Sequence, residues 1–222
     1  MQGSQAVRVG AILAVFVLVA VAGISIGYGF GTSVQISARG ATVTSTVTTS
    51  NSTEPYVLTL VIATNSVFNS TAGTMPAYFV LGPSGLQSSA SIAVPAHRLI
   101  KLVIVCYDDG NATMVQNGVN QVSGTQGNTV LVENNDNINS TQGISGIVVK
   151  GGQNVSSIDP TLLAHTFSVS TLNLNIPVEL SSTTVAYFTI NQAGTYTWQC
   201  MTLCGGAAMD SPGWMTGSLV AQ

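Results

Sequence analysis

Few residues in this chain are able to do chemistry, and most of them fall close together. Two histidines and three cysteines occur among 222 residues. In His165-Thr-Phe-Ser-Val169 the two-residue period of a strand puts His165, Phe167 and Val169 on one face, so an imidazole sits at the edge of an apolar surface. In Gly194-Thr-Tyr-Thr-Trp-Gln-Cys200 the same alternation aligns Tyr196, Trp198 and Cys200, and the strand delivers a thiol at its end from the interior. The loop Cys200-Met-Thr-Leu-Cys204-Gly-Gly-Ala-Ala-Met209-Asp-Ser-Pro-Gly-Trp-Met215-Thr-Gly217 then returns more soft sulfur donors to that strand end. A strand-borne His, a Cys closing a later strand and a Met after a loop make the ligand set of copper electron-transfer sites. Thiolate and imidazole hold the ion strongly, while a weak thioether keeps the geometry between those preferred by Cu(I) and Cu(II).

Each of these residues also has a structural reading. Cys200 and Cys204 are spaced for a disulfide as well as for a metal, and an oxidising exterior favours the disulfide. His165 fits a core-edge histidine satisfied by hydrogen bonds. Met209 and Trp214 either pack or present an apolar docking surface. His97 reads as structural: it opens a strand running to Cys106, so at about 3.3 Å per residue it begins roughly 25–30 Å from the end where the metal loop is expected. Cys106, in an apolar run, reads as a buried free thiol. Asp108-Asp109 reads as a turn, and no Ser/His/Asp set supports a hydrolase. With 5 Lys+Arg against 8 Asp+Glu and a net charge of −3, the chain has no electrostatic footprint for nucleic acid. Its 6% of charged residues is roughly a quarter of the usual share, so neutral polar groups must solvate the surface.

The elements that must position these residues read as strands. Tyr56 to Ala63, Arg98 to Tyr107 and Thr184 to Ile190 are short β-branched or aromatic runs closed by turn formers, and no window in this region sustains a helical period. A β-sandwich follows, formed by residues 56–222 as one domain. From Asn111 to Gln153 the sequence predicts a long connection with short strands near Val130 and Ile147. Residues 1–31 carry an uncharged apolar run, Gly10 to Ile26, that reads as a transmembrane anchor. A cleaved signal segment is the alternative, since Ala20-Val21-Ala22-Gly23 offers small residues for cleavage. Both readings export the domain, and Arg8 ahead of the run places the N-terminus inside. Residues 32–55 are a Ser/Thr-rich linker, and sequons at Asn51, Asn69, Asn111, Asn139 and Asn154 suit an exported surface.

These segments resemble the cupredoxins, and in particular the exported Cu(A) domain of cytochrome c oxidase subunit II. The resemblance lies in His165-x-Phe-x-Val-x-x-Leu172-x-Leu-x-Ile-Pro177, Gly194-x-Tyr-x-Trp-x-Cys200, the Cys200-x-x-x-Cys204-Gly pair and Met215-x-Gly217-x-Leu-Val. Val94-Pro-Ala with the following strand and Asp108-Asp109 also looks like an early cupredoxin strand. The resemblance implies an all-β, cupredoxin-like Greek-key sandwich behind one N-terminal transmembrane helix. It also implies copper as cofactor, with His165, Cys200, Cys204 and Met215 as ligands and the Thr202 carbonyl near the metal. The family pattern Cys-x3-Cys-x3-His-x2-Met has Ala208 and Ser211 here at its second His and its Met. That puts a two-copper centre in question, because each copper needs its own imidazole, and leaves one copper in a sulfur-rich shell. The ligand loop also resembles that of short exported cupredoxin-like proteins that lack the second His. The implied function is single-electron relay on the extracytoplasmic side of a membrane, with a respiratory redox partner or the core subunit of a haem-copper oxidase. The alternatives are a copper-free structural subunit with a Cys200–Cys204 disulfide, and a cell-surface module.

Overall fold

The computed structural model describes residues 54–222, apart from 70, 72, 115 and 135–151. The anchor at 1–31, nearly all of the linker at 32–55, the strand expected near Ile147 and the sequons at Asn51 and Asn139 lie outside the described residues. Among the described residues no helix is long and apolar enough to cross a membrane.

Among the described residues, fourteen strands and three 3-10 turns make the fold. In chain order the strands are β1 (Tyr56–Asn69), β2 (Gly73–Gly82), β3 (Gly85–Ser88), β4 (Ser91–Val94), β5 (Leu99–Cys106), β6 (Thr113–Met114) and β7 (Val130–Asn134). Then come β8 (Gln153–Val155), β9 (Leu163–Val169), β10 (Leu174–Glu179), β11 (Ser182–Thr189), β12 (Gly194–Gln199), β13 (Thr202–Leu203) and β14 (Thr216–Ala221). One sheet has the order β3-β2-β1-β5-β11-β7-β8, the second β10-β9-β12-β14-β4, and β13 pairs with β6 as a small third sheet. The all-β expectation and its scarcity of helix agree with this architecture.

Alternation explains which sheet face is inside. In β5, Ile100, Leu102, Ile104 and Cys106 are buried, while Leu99, Lys101 and Val103 are half-exposed. They meet Phe167, Ile176, Trp198 and Leu219 of the second sheet in one core, where each buried aliphatic or aromatic side chain contributes about 1.5–3 kcal/mol. Tyr78 of β2 joins the sheets, its ring 5.2 Å from Trp198 and 6.4 Å from Phe167, its hydroxyl donating to the Thr166 carbonyl at 3.0 Å.

Several strands depart from simple alternation, among them β11, whose first five residues are all buried, β9 and β1. All seven residues of β9 are buried, because its outer face is covered by residues 201–202, which bond Thr166 Oγ1 and the Ala164 carbonyl, and by the connection expected to be long. Ser168 Oγ donates to Asn175 Oδ1 at 2.6 Å, and Asn175 Nδ2 donates to the Val119 and Gln121 carbonyls. β1 also runs past its expected end at Ala63 to Asn69, through an irregularity between Ala63 and Ser66 that keeps it paired with β2.

At Gly217 the second sheet tolerates no side chain. A Cβ there would lie 2.6 Å from both the Ser89 carbonyl oxygen and Trp198 Nε1, the two atoms that share a 3.2 Å hydrogen bond. Gly217→Ala is therefore expected to cost about 1–3 kcal/mol through overpacking, read as a lower urea midpoint in tryptophan fluorescence. An unchanged midpoint would show that β14 backs away freely.

Candidate metal centre

Three strands of the second sheet set the donors in place. His165 lies in β9, Cys200 directly follows β12, and Met215 directly precedes β14. The β12–β14 ladder pairs Gln199 with Thr216, and the Cys200 amide donates to the Met215 carbonyl at 2.7 Å, so the intervening loop starts and ends on neighbouring rungs. Within the loop, Thr202 pairs with Met114 and the Cys204 amide donates back to the Thr202 carbonyl at 2.9 Å, which folds the second cysteine over the first. Gly205 then allows a close approach: a Cβ there would stand 2.7 Å from Met215 Cγ.

The candidate ligand atoms of His165, Cys200 and Cys204 consequently all lie within 4.8 Å of one another. Cys200 Sγ is 2.9 Å from Cys204 Sγ and 3.9 Å from His165 Nδ1, and Cys204 Sγ is 3.7 Å from Met215 Sδ. Both cysteines are free thiols. His165, Cys200 and Met215 are buried, and Cys204 is the half-exposed member. The Thr202 carbonyl lies 3.9 Å from Cys200 Sγ. The four residues named from sequence thus stand together. Ala208 is buried and Ser211 half-buried, so neither position presents an imidazole. His97 is exposed in the turn before β5 with φ 58°, at the opposite end of that strand from Cys106. Cys106 is buried, its thiol pushed up to about 12 by burial.

Asp108, which sequence reasoning left as a turn residue, orients the imidazole. Its Oδ2 lies 2.9 Å from His165 Nε2, which leaves Nδ1 facing the sulfurs. Burial opposes a charged imidazole, yet the hydrogen bond to Asp108, reinforced by Cys200, raises the His165 pKa to about 9. Burial likewise opposes a Cys200 thiolate, but hydrogen bonds with Cys204 and His165 outweigh it and hold that pKa well below the ordinary value. The same sulfur–sulfur contact, with burial, raises Cys204. The Thr166 amide donates to Cys200 Sγ at 3.4 Å. A buried thiolate with an oriented imidazole and a thioether is a donor set suited to a soft or borderline transition metal, and the carboxylate behind the His is the outer partner such ligands usually have. The one signal that could have exposed Asp108 is chemical: a buried imidazole needs an acceptor, and acidic residues are few.

No family model and no curated protein matches the sequence. Among solved structures, auracyanin B is similar at a TM-score of 0.33 and 11% identity, over 75% of this chain and 88% of that one. The periplasmic domain of subunit II of cytochrome oxidase of Bradyrhizobium japonicum is similar at 0.30 and 11%, over 75% and 83%. A multi-copper oxidase from Pseudomonas thermotolerans is similar at 0.37 and 12%, over 76% of this chain and 30% of that one.

Removing the Asp108 charge leaves burial opposed on His165 by Cys200 alone. In metal-free Asp108→Asn the imidazole pKa is expected to fall from about 9 toward the ordinary range, followed by NMR titration of the ring protons. A titration like that of the native protein would show that Asp108 does not hold the ring.

Proposed function

We propose that the domain is a cupredoxin-like electron-transfer protein that holds one copper between Cys200, His165, Cys204 and Met215. The observation that carries the reading is the convergence on one buried point of a stabilised thiolate, an imidazole nitrogen turned inward by a carboxylate, and a thioether. Copper bound there supplies a one-electron couple. The protein's own part is to fix the donors on ladder rungs, to exclude water from Cys200, His165 and Met215, and to keep the donor positions alike in both oxidation states. Cys204, half-exposed, gives the centre its nearest route to a partner at the surface.

The wider setting belongs to the same proposal. Gly10 to Ile26 anchors the chain, the domain lies on the extracytoplasmic side, and its partner is a respiratory redox protein or the core subunit of a haem-copper oxidase. Support for this is confined to the apolar run, its flanking charge and the likeness of the Cys200–Cys204 loop to that of subunit II. A second reading is favoured by the 2.9 Å between Cys200 and Cys204 sulfurs, which lets oxidation close a disulfide with little movement and leave a copper-free scaffold.

The full chain, purified under conditions that preserve bound metal and loaded with Cu(II), is expected to hold about one copper and to show a sulfur-to-copper charge-transfer band. Cys200→Ser should abolish the band in visible and EPR spectra. A chain that takes up no copper, with Cys200 linked to Cys204 in mass spectra, would establish the scaffold reading instead.

A further inference from the structure

Apart from Met1, the methionines of this chain gather at the metal end of the sandwich. Met201 and Met209 lie in the ligand loop, Met215 closes it, Met114 pairs with Thr202 across β6 and β13, and Met75 enters from β2. Two of them approach the backbone just beyond Cys204. A Cβ on Gly205 would stand 3.3 Å from Met209 Sδ, and one on Gly206 would stand 3.5 Å from Met75 Sδ. Thioether groups of Met75, Met209 and Met215 thus surround two residues that have no side chains of their own. Exposure falls along the same line: Met75, Met209 and Cys204 are half-buried, while Met215 is fully buried. The β1 irregularity between Ala63 and Ser66 lies just before the rung on which Ser66 faces Met75.

Thioethers are soft, uncharged donors that select Cu(I) over hard cations. From this placement we propose that Met75 and Met209 form a Cu(I) uptake site at the mouth of the centre, from which the ion passes to Cys204. The inference rests on the reading of Cys200, His165, Cys204 and Met215 as a copper centre. No electron moves in the step. A copper–thioether bond is exchanged for a copper–thiolate bond at Cys204 Sγ, and the proton of that thiol leaves to solvent. The uptake site itself binds and releases no proton.

The full-length chain, reduced, in mild detergent and labelled at the methionine methyls, can be titrated with Ag(I), a redox-silent stand-in for Cu(I). The Met75 and Met209 methyl signals are expected to shift along with that of Met215. In parallel, transfer of Cu(I) from a coloured chelator is expected to be roughly tenfold slower in Met75→Leu/Met209→Leu than in the native chain, the loss typical of removing a supporting partner of a metal site. Leucine conserves volume, and the final copper content of the same sample reports whether the buried centre still forms. Equal transfer rates, or shifts confined to Met215, would overturn the proposal. Loss of copper from the double variant would overturn it too, by making these residues ligands of the centre itself. A native chain that takes no Cu(I) at all would overturn the copper reading beneath it.

Discussion

The hydrogen bond between Asp108 and His165 crosses the sandwich. Asp108 follows β5 of the seven-stranded sheet, and His165 lies in β9 of the five-stranded one, so a single 2.9 Å contact ties both sheets to the donor cluster. An imidazole buried on an apolar face has no solvent to satisfy it, and leaving either partner alone would cost on the order of 3–5 kcal/mol. The carboxylate removes that penalty and selects which nitrogen faces the sulfurs. It also holds the imidazole beside Cys200, where the contact between them raises the His165 pKa and lowers that of Cys200. Cys200, His165 and Asp108 therefore form a chain in which each group makes burial of the next tolerable.

How much of this was readable from residues alone depends on range. That His165, Cys200, Cys204 and Met215 would stand together was legible because strand alternation and a short loop act locally: a Cys at a strand end and a Met just before the next strand must meet if the two strands pair. The apolar runs that became β1, β5 and β11 were legible for the same reason. Asp108 was not, since its role depends on two segments 57 residues apart in sequence meeting across a core. Nor was the full burial of β9, which requires the Val119 to Ser123 stretch to dock through the side chain of Asn175. That stretch is polar and carries no strand period, so composition reads it as free connection, although Val119 and Val122 are buried. The extension of β1 to Asn69 was hidden by its irregularity, which breaks the alternation by which strands are recognised.

The near absence of charge has a structural counterpart. Apart from His165, the buried polar side chains among the described residues are hydroxyls: Ser89, Thr125, Ser182 and Thr202 donate to backbone carbonyls, and Thr166 and Ser168 join a run that ends at the half-buried Asn175. Such a network sits directly behind the amide that donates to Cys200, and neither hydroxyls nor amides change protonation over the ordinary pH range. The electrostatics of the donor cluster are then set by a few groups: Asp108, His165 and the two thiols.

The hydrogen bond from the Cys200 amide to the Met215 carbonyl has a consequence for how such a protein can change over time. Because the loop leaves and rejoins the sheet on adjacent rungs, its interior can lengthen, shorten or trade residues while both end donors stay where the ladder holds them. The sheet behaves as a socket and residues 201–214 as an interchangeable insert. In this chain the insert carries Cys204 and Met209, while Cys200 and Met215 belong to the socket.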